Sequence, residues 1–278
     1  MRNCLEKKGP AVTIPSILLV GCGRMGSAML AGWRERGLAA SIAVDPAPEA
    51  AQNAGPDLRV LANAAAIPAD FSPAAVVLAV KPQNAAETLP LHARYAGKAV
   101  FLSIMAGRTI GGMQTLLGPS AAIVRAMPNT PAAVRQGVTV ACPGPGVTPA
   151  HRDLCDALLQ AIGKVAWVTD EALLDPVTAV SGSGPAYVFL LAELMEQEAV
   201  RQGIPPDLAR LLARQTVAGS GALLAASTEE SAALRVAVTS PGGTTKAALD
   251  VLMASDAWPA LMENAIKAAT IRSRELAG

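Results

Sequence analysis

The chain has 278 residues, of which 51% are hydrophobic, 16% charged and 3% aromatic. That length predicts two domains or one large one, and a charged fraction below the ~25% of an average soluble protein argues against disorder. The 23 Lys and Arg against 22 Asp and Glu leave a net charge of +1, which makes no electrostatic case for nucleic acid or for an anionic membrane surface.

Residues 1–15 are polar and basic and read as a disordered extension without a secretory signal. No uncharged apolar stretch reaches the ~20 residues of a membrane helix, so a soluble, cytoplasmic chain with no membrane partner is expected. Short β-branched runs then alternate with helical stretches. The strand candidates are Ser16–Val20, Ile42–Asp45, Ala75–Val80, Ala99–Ile104, Ile123–Ala126, Gly137–Ala141 and Val165–Val168. Several are apolar on consecutive residues, as in strands covered on both faces. Helices are expected at Met25–Arg36 and Asn84–Leu91. This order predicts a parallel, doubly wound α/β sheet over 16–168.

From residue 169 to 278 the chain reads as helices separated by small-residue breaks. Tyr187–Arg201 is long and apolar, ending at Gly203. Pro205 and Pro206, with Asp207 as a cap, open the next helix toward Ala226. Ser240-Pro241-Gly242-Gly243 breaks the chain before Thr244–Met253. The few charges on Tyr187–Arg201 predict a face covered by another subunit. Cys4, Cys22, Cys142 and Cys155 are scattered without CxxC pairing, so reduced thiols are expected rather than disulfides or a metal site. His92 and His151 lie outside any catalytic pattern and read as surface residues.

The run Ser16–Val20 leads into Gly21-Cys22-Gly23-Arg24-Met25-Gly26, a GxGxxG between a strand and a helix. In this motif the first glycine permits the turn, the second lets backbone approach a pyrophosphate and the third packs helix on strand. Asp45 follows at the end of the second strand, nineteen residues after Gly26, where a carboxylate accepts the ribose hydroxyls. The segment Pro46–Ala50 holds no Arg or Lys for a 2′-phosphate, so NADH is favoured over NADPH. A plain turn residue before Pro46 is the alternative for Asp45.

Four further segments carry a resemblance. They are Val80-Lys81-Pro82, the run from Arg125 to Pro131 (RAMPNTP), the run from Val180 to Tyr187 (VSGSGPAY), and the run from Val238 to Lys246 (VTSPGGTTK). With GCGRMG, and in order from about Ile17 to Leu276, they make the chain similar to the pyrroline-5-carboxylate reductase family. The resemblance implies an N-terminal Rossmann domain and an all-helical C-terminal dimerisation domain. It also implies reduction of 1-pyrroline-5-carboxylate to L-proline with NADH or NADPH, and a homodimer or a decamer. By the same resemblance Gly21 to Gly26, Asp45, Asn63, Val80, Lys81, Pro82, Ala106 and Gly107 hold the dinucleotide. Glu171, Gly243, Thr244 and Thr245 hold the substrate, with Thr245 offering its hydroxyl to the ring nitrogen as the catalytic residue.

The chemistry is consistent with those residues. A protonated imine needs orientation more than a strong acid, and a helix start after two glycines offers N–H groups to a carboxylate. Glu171 can balance an iminium charge. The alternatives are a plain helix cap at Thr244 and Thr245, a strand-end lysine at Lys81 and a helix-start carboxylate at Glu171. Two departures from the family pattern, Val236 after Leu234-Arg235 and no His-Pro near Glu230-Ser231, bear on helix anchoring. Another reductase of Rossmann-plus-helices plan, such as a β-hydroxyacid dehydrogenase, requires a lysine that Tyr187–Arg201 lacks.

Overall fold

The computed structural model describes residues 13–277. They form two units, one running through Gly182 and taking up the chain again from Thr270, the other spanning Ser183–Ala269. The expected division at 168/169 therefore differs from the compact units. The chain stays helical after Glu171, through the π-helical turn Thr178–Gly182, so no break separates the units at 168.

In the first unit eight strands make one sheet: β1 (Ile17–Val20), β2 (Ser41–Val44), β3 (Leu58–Leu61), β4 (Ala75–Leu78), β5 (Val100–Ser103), β6 (Ile123–Met127), β7 (Gly137–Pro143) and β8 (Gly163–Trp167). Their order is β3-β2-β1-β4-β5-β6-β7-β8. Every residue of β1, β2, β4 and β5 is buried, which is why they read as unbroken apolar runs. β3 escaped the sequence reading because Arg59 is exposed, and Gly55-Pro56-Asp57 and Asn63 around it read as turns. The sheet is not wholly parallel as expected: β7 runs antiparallel to β6, with Ala126 opposite Ala141. Only residues 128–136 join the two strands, too short a link for the crossover that a parallel pair needs.

The helices here are α1 (Arg24–Glu35), α2 (Ala85–Thr88), α3 (Ile110–Leu117), α4 (Pro149–Gln160) and α5 (Leu174–Val177). Alternate strand residues feed two cores. Ile17, Leu19, Val77 and Leu102 meet Met29, Trp33 and Leu158 of α1 and α4. Leu18, Val20, Val44 and Leu78 meet Ala85, Leu89, Ile110 and Met113 on the other face. Trp33 Nε1 donates to Leu158 O at 2.9 Å, and Gly32 lets the Ala161 carbonyl come close. The expected helix Asn84–Leu91 shortens to α2, followed by 3-10 turns over Leu89–Tyr95. Pro90 lacks an N–H and crowds the preceding turn. Residues 1–12 of the expected extension, and Cys4 with them, lie outside the described residues. At the end of that extension Ile14 is fully buried and bridges Leu38, so it is ordered.

The second unit holds α6 (Gly184–Arg201), α7 (Pro206–Ala226), α8 (Ser231–Ala237), α9 (Thr244–Leu252) and α10 (Trp258–Ala277), whose last turns return to the first unit. Asp207 does not cap α7. Pro205 takes the cap position and Pro206 the first turn, leaving Asp207 at the positive helix end. Arg210 pairs with Glu196 at 3.3 Å between α7 and α6. In this unit Ala209 and Ala213 are buried, whereas Phe189, Leu211 and Leu261 are each at least 60% exposed. As expected, no uncharged apolar run reaches ~20 residues. Glu171–Arg201 is long and apolar enough to span a membrane by length and composition, because the helix runs on through the small residues Gly182-Ser183-Gly184 that read as a break.

Candidate functional site

At the end of β1, Gly21 adopts φ +99°, and a Cβ there would meet Ala79 O at 2.7 Å. A Cβ on Gly26 would collide with the carbonyl of Gly21. Gly23 differs, since a Cβ there meets nothing within 4 Å. It is the N-cap of α1, with no side-chain cap and no acid in the first turn, so the first N–H groups are left for a ligand. This open cradle fits a pyrophosphate, and Arg24 adds a positive charge beside it. Met25 packs on the core. The Cys22 N–H donates to Asp45 Oδ2 at 2.6 Å, and the Ala47 N–H to Asp45 Oδ1 at 2.9 Å.

A cleft of about 490 Å³ opens beside this loop. Of the expected residues it gathers Gly21, Gly23, Asp45, Asn63, Val80 and Lys81. Pro82, Ala106 and Gly107 lie outside its lining, although Arg108 Nε donates to Pro82 O at 2.9 Å and so ties the two segments. Gly107 adopts φ +67°, and a Cβ there would meet Leu276 O at 2.9 Å, so its glycine serves close packing of the chain end. Asn63 also caps the next turn, its Oδ1 accepting from the Ala66 N–H at 3.1 Å. Sequence reasoning missed Asn84, Thr88 and His92 on the opposite wall. Their spacing of four, one helical face, was the available signal.

Glu171 Oε1 accepts from Arg125 Nη1 and from the Ile110 N–H, both at 2.8 Å. It is thereby the counter-ion of a buried arginine and the anchor of the start of α3. In the second unit Gly242 adopts φ +70°, and Gly243 is the N-cap of α9 with no side-chain cap. A Cβ on Gly243 would press on Ser240 Oγ at 2.7 Å. Neither Thr244 nor Thr245 caps the helix through its hydroxyl. Thr245 is half-buried and Thr244 exposed.

Cys22, Cys142 and Cys155 are free and buried, as expected of reduced thiols. Burial, with Asp45 adding to it, pushes Cys22 up to about 11, and burial with Asp156 pushes Cys155 up to about 12. Neither is poised as a nucleophile. Among the described residues no group of His, Cys, Asp and Glu is placed to hold a metal. His151 is partly exposed in a capping box with Thr148, as the surface reading expected. His92 corrects that reading, since it is fully buried and its neighbours Leu89 and Tyr95 belong to a core of the sheet.

A glycine loop at the point where strand order reverses, opening on a cleft with an acid at the end of β2, defines the class of nicotinamide-dinucleotide oxidoreductases. The segment 16–107 matches the family described as NADP oxidoreductase coenzyme F420-dependent, and 171–276 the pyrroline-5-carboxylate reductase dimerisation family. A pyrroline-5-carboxylate reductase of Pseudomonas aeruginosa is 39% identical over 96% of this chain and 98% of its own. The structure of one from Coxiella burnetii superposes with a TM-score of 0.87 at 29% identity, covering 94% of this chain and 98% of that one. One from Plasmodium falciparum, solved with NADP bound, gives 0.80 at 27% identity over 95% and 99%. The chain belongs to the pyrroline-5-carboxylate reductase family.

Proposed function

We propose that this chain reduces 1-pyrroline-5-carboxylate to L-proline. The observation that carries the reading is the joining, in one chain, of a glycine loop open at Gly23 to a helical unit of the reductase dimerisation type. A bound reduced nicotinamide supplies the hydride. Gly21 to Gly26 hold the pyrophosphate and Asp45 the ribose, with Asn63, Val80 and Lys81 along the cleft, and Pro82, Ala106 and Gly107 behind it. Asp45 retains lone pairs beyond its bonds to Cys22 and Ala47, and no basic residue lies in 46–50. NADH is therefore the preferred donor.

The start of α9 receives the substrate carboxylate on the N–H groups of Thr244 and Thr245, with Gly243 at the uncapped N-cap position before them. The Thr245 hydroxyl orients the imine nitrogen. Glu171, committed to Arg125 through Oε1, is a positioning residue of the first unit. The exposed faces of α6 and α7 are covered by a second copy, not by lipid. In support, the matched family is one of dimerisation, and charged residues such as Glu193, Glu196 and Arg214 line the same groove as Phe189. The assembly is a homodimer in the cytoplasm.

The test is consumption of NADH and of NADPH on addition of 1-pyrroline-5-carboxylate, with L-proline identified by chiral chromatography. Proline formation faster with NADH is expected. Cofactor oxidation without proline, or none at all, refutes the reading.

A further inference from the structure

The loop after β5 carries an arginine that no ion pair among the described residues employs. Arg108 is half-buried, and its one polar contact among those residues is the bond from Nε to Pro82 O at 2.9 Å. That carbonyl already accepts from the Ala85 N–H, so the arginine takes its second lone pair. The bond is therefore a cross-link between segments 26 residues apart, and not the rescue of an orphaned group. The loop it starts from is fixed on both sides. The Ile104 N–H donates to Leu78 O at 3.1 Å, and the Ile110 N–H to Glu171 Oε1 at 2.8 Å. The segment it reaches is held less firmly. Residues 82–95 are 3-10 turns around the four residues of α2, short elements that are weak on their own.

The far side of this cross-link meets the cleft. Lys81 is the N-cap of the turn that Pro82 opens, and its carbonyl accepts from the Asn84 N–H at 3.0 Å. Val80, Lys81 and Asn84 all line the cleft. The strand this segment leaves, β4, lies on one side of β1 and its glycine loop, and β2 with Asp45 lies on the other. A dinucleotide sits across such a reversal of strand order, one mononucleotide half to each side. With the adenosine ribose at Asp45, the nicotinamide half falls on the β4 side. We propose that Arg108 is a positioning residue for hydride transfer, holding the Val80–Lys81 wall in place through Pro82. The role belongs to the Nε–H donor and not to the charge. It bears on rate because misplacing the reacting atoms by 1 Å costs up to about 100-fold. The inference rests on the reading of this chain as a reductase with its dinucleotide in this cleft.

Two substitutions in the full chain separate the donor from the rest of the side chain. A glutamine carries its amide nitrogen as many bonds from the backbone as Nε, so Arg108→Gln keeps a donor there and removes the charge. Arg108→Met places a methyl group at that point and removes both. The measurements are turnover of 1-pyrroline-5-carboxylate at saturating NADH, calorimetric titration with ADP-ribose, and thermal melts. In Arg108→Met kcat should fall about 10-fold, and Arg108→Gln should recover most of that loss. ADP-ribose lacks the nicotinamide, so its affinity should be unchanged in both. Wild-type kcat in Arg108→Met, or an Arg108→Gln as slow as Arg108→Met, overturns the proposal. So does a loss of ADP-ribose affinity in step with kcat, which would make the arginine a support of the whole unit. If Arg108→Met does not fold, Arg108→Ala, which lets water meet the Pro82 carbonyl, is judged by the same criteria. A wild type that binds ADP-ribose but forms no proline overturns the reductase reading and this role together. An active wild type with any of the adverse outcomes overturns the role of Arg108 alone.

Discussion

The Asp45 carboxylate binds the N–H groups of Cys22 and Ala47 as well as facing the cleft, so its charge and its acceptor geometry can be separated. Asp45→Asn keeps one oxygen for the loop and removes the charge. The ratio of kcat/KM for NADPH over NADH should rise about 10-fold, equivalent to roughly 1.4 kcal/mol of like-charge repulsion. Parallel kinetics with the two cofactors check it, and an unchanged ratio refutes the charge argument. Thr245→Ala keeps the backbone donors of α9 and removes the hydroxyl. Loss of a hydrogen bond to a charged group is worth ~1.5–3 kcal/mol, or roughly 10- to 150-fold in kcat/KM, and Thr245→Val should behave alike. Wild-type kcat/KM in both would reduce Thr245 to a packing role. His92 links stability to pH. Its folded pKa of about 4 lies below the ordinary 6.5, so between those values the unfolded chain binds a proton that the folded chain does not. The stabilisation is complete above pH 6.5 and is lost as pH falls through 4, by at most about 3 kcal/mol. Urea midpoints should therefore drop more steeply from pH 7 to 5 in the wild type than in His92→Leu; parallel curves contradict it.

Among the elements, the strand–loop–helix unit from β1 to α1 shows how one motif divides its labour. Gly21 and Gly26 are glycines because backbone lies against them, whereas Gly23 is open and has φ −64°, a conformation any residue adopts. Gly23→Ala should leave the melting temperature near wild type and weaken NADH binding about 10-fold or more, by filling the space of the pyrophosphate. Gly26→Ala should instead destabilise the fold by ~1–3 kcal/mol, as overpacking does. Thermal melts beside calorimetric titrations separate the two, and equal melting temperatures would refute the distinction. Asn84, Thr88 and His92 show the opposite case. They line one wall across two kinds of helical turn, because Pro90 ends α2 without changing which side faces the cleft.

The molecule as a whole divides into a sheet unit with two cores and a helical unit that buries little on its own. Phe189, Leu190, Leu194, Leu211 and Leu223 are all more than half exposed, a patch a lone soluble chain rarely leaves bare. An obligate dimer with an interface beyond ~2,000 Å² is the expected outcome. Sedimentation at micromolar concentration should show no active monomer, and Phe189→Glu should give an unfolded or aggregated chain rather than a stable one. A stable, active monomer of either protein refutes the dimer.

Much of the first unit was legible because its signals are local. Consecutive apolar residues in Ile17–Val20 and Ala75–Leu78 announce strands covered on both faces, and the contiguous loop from Gly21 to Gly26 names its ligand class within six positions. The segment from Ser240 to Thr245 likewise carried its helix start in sequence. The reversed direction of β7 was not legible, since it depends on the length of a link and not on the composition of the strand. Nor was the partition of the chain at Gly182, because a helix that continues through Gly182-Ser183-Gly184 looks like a break until its turns are seen. The sequence by itself determined the class of fold, the glycine loop and the family. The tertiary structure alone decided that Asp45 braces the loop through Cys22, that Glu171 holds Arg125 and α3, and that His92 is buried against the cleft. Each of these is a contact between residues distant in the chain, or a burial that only packing confers.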